Sequence, residues 1–78
     1  MKPLSLYSQV RLKRLLRNPQ EYDGWKLNKR NPEVGDIGNL IDILHAKELP
    51  DHYIVEKTES DGSTTWLGEF VAEELEPA

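Results

Sequence analysis

A chain of 78 residues has room for one small domain, which buries only roughly 60–65% of the surface its unfolded form exposes and leaves little space for an enclosed catalytic cavity. It has no cysteine, which excludes a disulfide framework, a thiolate nucleophile and a Cys-rich zinc site, and fits a reducing compartment. The net charge of −4 conceals an asymmetry: residues 1–30 hold eight basic against two acidic side chains, residues 31–78 two against twelve. Such a split marks either a basic partner-binding half or strands whose charges pair once folded; in so small a domain the halves must pack together, which favours pairing.

The first ten residues contain no continuous apolar stretch, and charge resumes at Arg11, so no secretory signal is expected. No apolar run approaches the ~20 residues needed to cross a bilayer. The expectation is a soluble, cytoplasmic protein with a partly ordered segment at 1–8 and one domain at 9–77. Within Gln9–Leu16, Val10 and Leu12 alternate with Arg11 and Lys13, the period of a half-buried strand. Leu12, Leu15 and Leu16 also fit the spacing of a short helix. Asn18-Pro19 ends either element, because proline disfavours a helical conformation in the residue before it. From Pro19 to Pro32 the chain is polar and rich in turn formers, with Tyr22, Trp25 and Leu27 scattered through it. A loop of that length inside a compact domain is often functional.

Gly35-Asp36 predicts a tight turn into a strand running to Leu44, with Ile37, Ile41 and Ile43 on one face and Leu40 and Leu44 on the other. Apolar residues on both faces predict a central strand, and Gly38 within it predicts a bulge or sharp bend. The β-branched and aromatic stretch His52–Thr58, then Asp61-Gly62, then Thr64–Val71 predicts a hairpin with a type I′ turn. Ala72–Pro77 predicts one helical or 3-10 turn leading into a brief last strand. The fold class expected is mainly β: four to five short antiparallel strands, with a long loop after the first, curled into a small barrel.

Several of these residues are familiar together. Val34-Gly35-Asp36-Ile37-Gly38, the Tyr53 and Val55 strand, the Asp61-Gly62 hairpin and the closing Glu74-Leu75-Glu76-Pro77 resemble small bacterial proteins of unknown function whose fold is an SH3-like barrel of the KOW-related type. The resemblance implies a fold, and such barrels bind peptides, nucleic acid or subunits of larger complexes. The chain departs from the nucleic-acid-binding pattern at Asp42, where that pattern has a basic residue. The Ala-Leu-Tyr-Asp-Tyr-like signature of peptide-binding signalling domains is absent.

No catalytic constellation is recognised: His45 and His52 lack metal-ligand spacing and stand in no Ser-His-Asp pattern, so neither enzyme activity nor a cofactor or metal is expected. Interaction residues are more promising. Tyr22 and Trp25 in the long loop, with Lys26, Lys29 and Arg30, are the candidate docking face for a protein partner, aromatic burial supplying affinity. The competing role for Trp25 is a plug over one end of the core; Trp66 could face either way. Arg11, Lys13, Arg14 and Arg17 are the candidate nucleic-acid contacts, an alternative that a pI near 5.1 disfavours. The acidic stretch Glu69, Glu73, Glu74, Glu76 could bind a basic partner protein, although a charge run near a terminus is usually only solvated surface. The function expected is a non-catalytic protein-interaction module, monomeric or weakly dimeric, as a subunit or neutralising partner in a bacterial complex.

Overall fold

A computed structural model describes residues 4–78. Five antiparallel strands form one sheet: β1 (Gln9–Leu12), β2 (Ile37–Leu44), β3 (His52–Thr58), β4 (Thr64–Val71) and β5 (Leu75–Pro77). Their order across the sheet is β4-β3-β2-β1-β5, so β2 is central as its composition predicts. Two 3-10 turns, Pro19–Tyr22 and Ala72–Glu74, complete the secondary structure. The helical alternative for residues 9–16 gives way to a strand that ends at Leu12, where Gly35 N–H donates to the Leu12 carbonyl at 2.7 Å. Of the N-terminal segment expected at 1–8, residues 1–3 lie outside the described residues. Residues 7 and 8 pair with β2 through Tyr7 N–H to Leu40 O and Leu40 N–H to Ser8 O.

One face of the sheet carries the core. Val10, Leu12, Leu40, Val55, Trp66, Phe70 and Leu75 are buried there, and Tyr22 packs down on them from the long loop, its ring stacked on Phe70 at 4.8 Å. Trp66 meets Phe70 edge-on at 5.6 Å. A central strand apolar on both faces was the expectation for β2, and here the structure differs. The ladder steps from Leu40↔Val55 to Asp42↔Ile54, so Ile41 is an extra residue in a bulge. One inserted residue inverts the alternation that follows it. Leu40 and Ile43 therefore both pack against the core, while Ile37 and Leu44 are exposed. The bulge falls at Ile41 and not at Gly38. Glycine is required at 38 for a different reason: a Cβ there would lie 2.8 Å from both the Glu56 carbonyl oxygen and Val55 Cγ1.

The β3–β4 hairpin forms where predicted, with a different turn. Gly62 N–H donates to Glu59 O at 2.9 Å, Glu59 N–H donates to Ser63 O at 2.8 Å, and among Ser60, Asp61 and Gly62 only Gly62 has positive φ, at 89°. That is a three-residue loop ending in a left-handed glycine, not a two-residue type I′ turn.

The sheet is not closed, since β4 and β5 remain its edges. β5 is short and ends in Pro77, which removes a donor. β4 is long, and the chain covers it by other means. Thr65 O accepts from Lys29 N–H (2.8 Å), Leu67 N–H donates to Asn28 Oδ1 (2.9 Å), Glu69 O accepts from Arg17 Nη2 (2.7 Å), and Val71 N–H donates to Glu74 Oε1 (3.0 Å). Every second residue of this edge is thus engaged by the long loop or the last turn, which blocks strand addition by another chain. No helix among the described residues is long and apolar enough to cross a membrane.

Candidate functional site

Asn18 and Pro19 start the first 3-10 turn, with Asn18 N–H donating to Glu21 Oε2 at 2.9 Å. That turn drops Tyr22 into the core. Its hydroxyl donates to Glu74 Oε2 and accepts from Arg17 N–H at 3.2 Å. Burial, then the hydrogen bond to the Glu74 carboxylate, raises the Tyr22 phenol above its ordinary pKa, so it stays a donor at neutral pH. Glu74 is only 2% exposed, yet both its oxygens are satisfied: Oε1 by Val71 N–H, Oε2 by Tyr22 and by Leu16 N–H at 3.0 Å. A carboxylate read from sequence as solvated surface is therefore the internal fastening of the long loop. Burying a carboxylate is tolerable only with such a complete set of donors.

Beyond Tyr22, Asp23 Oδ1 accepts from the backbone N–H groups of Leu27 (3.0 Å) and Asn28 (3.3 Å), folding the chain back on itself. Lys26 takes a left-handed φ of 59° inside this reversal. Trp25 stands at its crest, 45% exposed, and so is no plug of the core; Tyr22 holds that position. Arg17 lies 4.3 Å from the centroid of the Tyr22 ring and donates to the Glu69 carbonyl. Arg17, Glu21, Tyr22, Gly24, Trp25 and Glu69 line a hollow of about 260 Å³. On the other side of Arg17 and Glu69 lies a second hollow of about 280 Å³, walled by Leu16, His52, Phe70 and Val71. The two hollows share Arg17 and Glu69 in their lining and together make the candidate groove, with Leu16 and Trp25 as its exposed apolar residues.

The remaining candidates lie elsewhere. Lys29 Nζ pairs with Glu59 and donates to Ser63 Oγ at 2.8 Å, so it belongs to the β3–β4 hairpin. Arg30 grips Asp36 with both terminal nitrogens, at 2.8 and 3.1 Å, and Asp36 also accepts from Trp66 Nε1 at 2.9 Å. Burial pushes the Asp36 carboxyl up, but the hydrogen bonds from Arg30, Trp66 and Glu33 N–H outweigh it and hold the group below its ordinary value. Arg11 pairs with Glu76 at 3.1 Å across β1 and β5. Lys13, Arg14 and Lys26 are exposed. Neither set of predicted site residues comes together as a whole. Tyr22 and Trp25 share the first hollow, while Lys29 and Arg30 serve the hairpin and the turn before β2. Of the basic cluster, Arg11 pairs with Glu76 and Arg17 with the Glu69 carbonyl, whereas Lys13 and Arg14 are exposed. His45 pairs with Asp51 at 2.8 Å and His52 with Glu69 at 2.6 Å, separate contacts in separate places. Among the described residues no group of three or more metal-ligating side chains converges.

Sequence reasoning missed Leu16 and His52 as groove residues, and it placed Glu69 in a separate acidic stretch and not beside Trp25. No local pattern in the sequence sets Leu16 or His52 beside Trp25; that proximity is made by the fold. Comparison with protein-family models, curated proteins and solved structures finds no match.

Proposed function

We propose that this chain is a non-catalytic protein-interaction module with an SH3-like barrel fold, docking a partner protein on the groove around Trp25 and Leu16. The fold reading is supported by the element order, a 3-10 turn between the fourth strand and a short fifth, and by the pairing of the last strand with the first. The docking reading is carried by one observation: a tryptophan left 45% exposed on a concave surface, in a chain small enough to need every apolar contact in its core. Tryptophan in such a position gives large contact area at little entropic cost. On this reading the protein works in the cytoplasm as a monomer or weak dimer, as a subunit or neutralising partner in a bacterial complex. The nucleic-acid alternative through Arg11, Lys13, Arg14 and Arg17 is weakened by the engagement of Arg11 with Glu76 and of Arg17 with Tyr22 and Glu69.

The test is capture of the partner from the native cell extract, with and without nuclease, using the wild type and Trp25→Ala. A stoichiometric protein that survives nuclease and binds Trp25→Ala at least about thirtyfold more weakly, an anchor loss of ~2 kcal/mol, is the expected result. Complete loss of retained material on nuclease treatment would transfer the function to the basic cluster.

A further inference from the structure

Resting on the docking reading, we infer that the groove takes a cationic segment of the partner: a turn or strand presenting Lys or Arg beside an apolar side chain. The basic residues grouped with Trp25 in sequence suggest an acidic partner, whereas the folded chain places two carboxylates in the hollow that Trp25 lines. Lys29 and Arg30 are drawn away to Glu59 and Asp36. The hollow beside Trp25 is lined by Glu21 and Glu69, both accessible, together with Arg17, while the exposed Lys26 is not part of its lining.

Each of these carboxylates has one oxygen engaged internally, Glu21 Oε2 by Asn18 N–H and Glu69 Oε2 by His52 Nδ1. The other oxygen of each has no hydrogen bond among the described residues. The one strong cation lining the groove, Arg17, is held against the Tyr22 ring and the Glu69 carbonyl. A guanidinium or ammonium from a partner would find two carboxylate acceptors and the exposed face of Trp25, to which a cation is attracted by the ring quadrupole. The second hollow, walled by Leu16, Phe70 and Val71, suits the neighbouring apolar side chain. The chain's net charge of −4 steers such a segment inward from longer range and repels an acidic one. Gly24 gives access: a Cβ there would have nothing within 4 Å, so the mouth beside Trp25 is open.

The probe is a library of short synthetic peptides with randomised flanks and a fixed central pair (Arg-Leu, Lys-Leu, Glu-Leu or Arg-Ser), panned on the immobilised full chain at low ionic strength. Arg-Leu and Lys-Leu peptides should be enriched at least about fivefold over both others. That preference should disappear in a Glu21→Gln/Glu69→Gln double variant, whose substitutions lie at accessible positions. Gly24→Phe should fill the mouth without unfolding the protein, and should abolish retention. Enrichment of Glu-Leu peptides, no enrichment at all, or an Arg-Leu preference indifferent to the double variant would overturn the cationic segment. If partner capture nevertheless still depends on Trp25 and Gly24, the docking reading survives that loss. If neither Trp25→Ala nor Gly24→Phe changes partner capture, both fall.

Discussion

The connection between β1 and β2 has two halves that are fastened in opposite ways. Residues 13–25 are held chiefly at one buried residue, Glu74, whose carboxylate takes Leu16 N–H and the Tyr22 hydroxyl, with Arg17 reaching the Glu69 carbonyl beside it, while Leu16 and Trp25 are left turned outward. Residues 28–36 are held by many distributed contacts. Asn28 and Lys29 cover the edge of β4, and Arg30 and Glu33 N–H converge on Asp36 beneath Trp66. The half with a concentrated anchor has surface left over for a ligand. The half with distributed anchors has its charges engaged at home. Of the basic residues in this connection, Arg17, Lys29 and Arg30 serve as fastenings, while Lys13, Arg14 and Lys26 stand exposed.

The sharpest way to break that contrast is Glu74→Ala. It leaves Val71 N–H, Leu16 N–H and Tyr22 without their acceptor in a site that is 2% exposed. Stranding buried donors and removing a buried charge from its partners costs about 3–5 kcal/mol, a large part of the roughly 4–12 kcal/mol available to a chain of this length. Urea titration followed by circular dichroism should find the variant largely unfolded near room temperature. Glu74→Gln, which retains one acceptor oxygen, should fall between. A wild-type midpoint for Glu74→Ala would mean that the first half is anchored elsewhere.

How far the sequence announces this architecture depends on the range of the interaction. The alternation of β1, the β-branched and aromatic run of β3, the Asp61-Gly62 reversal with its returning strand and the brief last strand are local patterns, and they are legible. The Ile41 bulge is not, because it answers to Val55 and Ile54 across the ladder and not to its own neighbours. Glu74 hides among acidic neighbours, since its burial depends on donors at positions 16, 22 and 71. The groove is half legible: Trp25 marks it, but which charged side chains line it with Trp25, and that Lys29 and Arg30 do not, is a tertiary fact.

Asp36→Asn tests the second half with a smaller effect. The variant keeps a side-chain acceptor for Trp66 but loses the charge-assisted pair with Arg30, at about 1–2 kcal/mol at neutral pH. The pH dependence has a definite sign. A carboxyl whose folded pKa lies below its unfolded one stabilises the fold fully above the unfolded value, about 3.9, and loses that contribution as pH falls through the folded value. The gap between wild type and Asp36→Asn in thermal melts should therefore be constant above about pH 5 and close as the solution is acidified below pH 4. A gap that widened on acidification would show that Asp36 is not held in its charged form.

Lys29→Gln should have the smallest effect, and its size discriminates between two ways of closing the β4 edge. The Lys29–Glu59 pair is exposed on both sides, so salt and side-chain entropy leave it little net stabilising value. The backbone N–H of the same residue, donated to Thr65 O, lies on the sheet edge and is supplied by any residue but proline. Lys29→Gln should melt with the wild type in moderate salt and slightly earlier in low salt, where Coulomb attraction is less screened. Lys29→Pro should melt earlier at every salt concentration and, with Thr65 O uncovered, begin to self-associate in sedimentation runs. If the two variants behaved alike, the charge and not the backbone would be guarding the edge, and the second half of the loop would depend on the same kind of concentrated contact as the first.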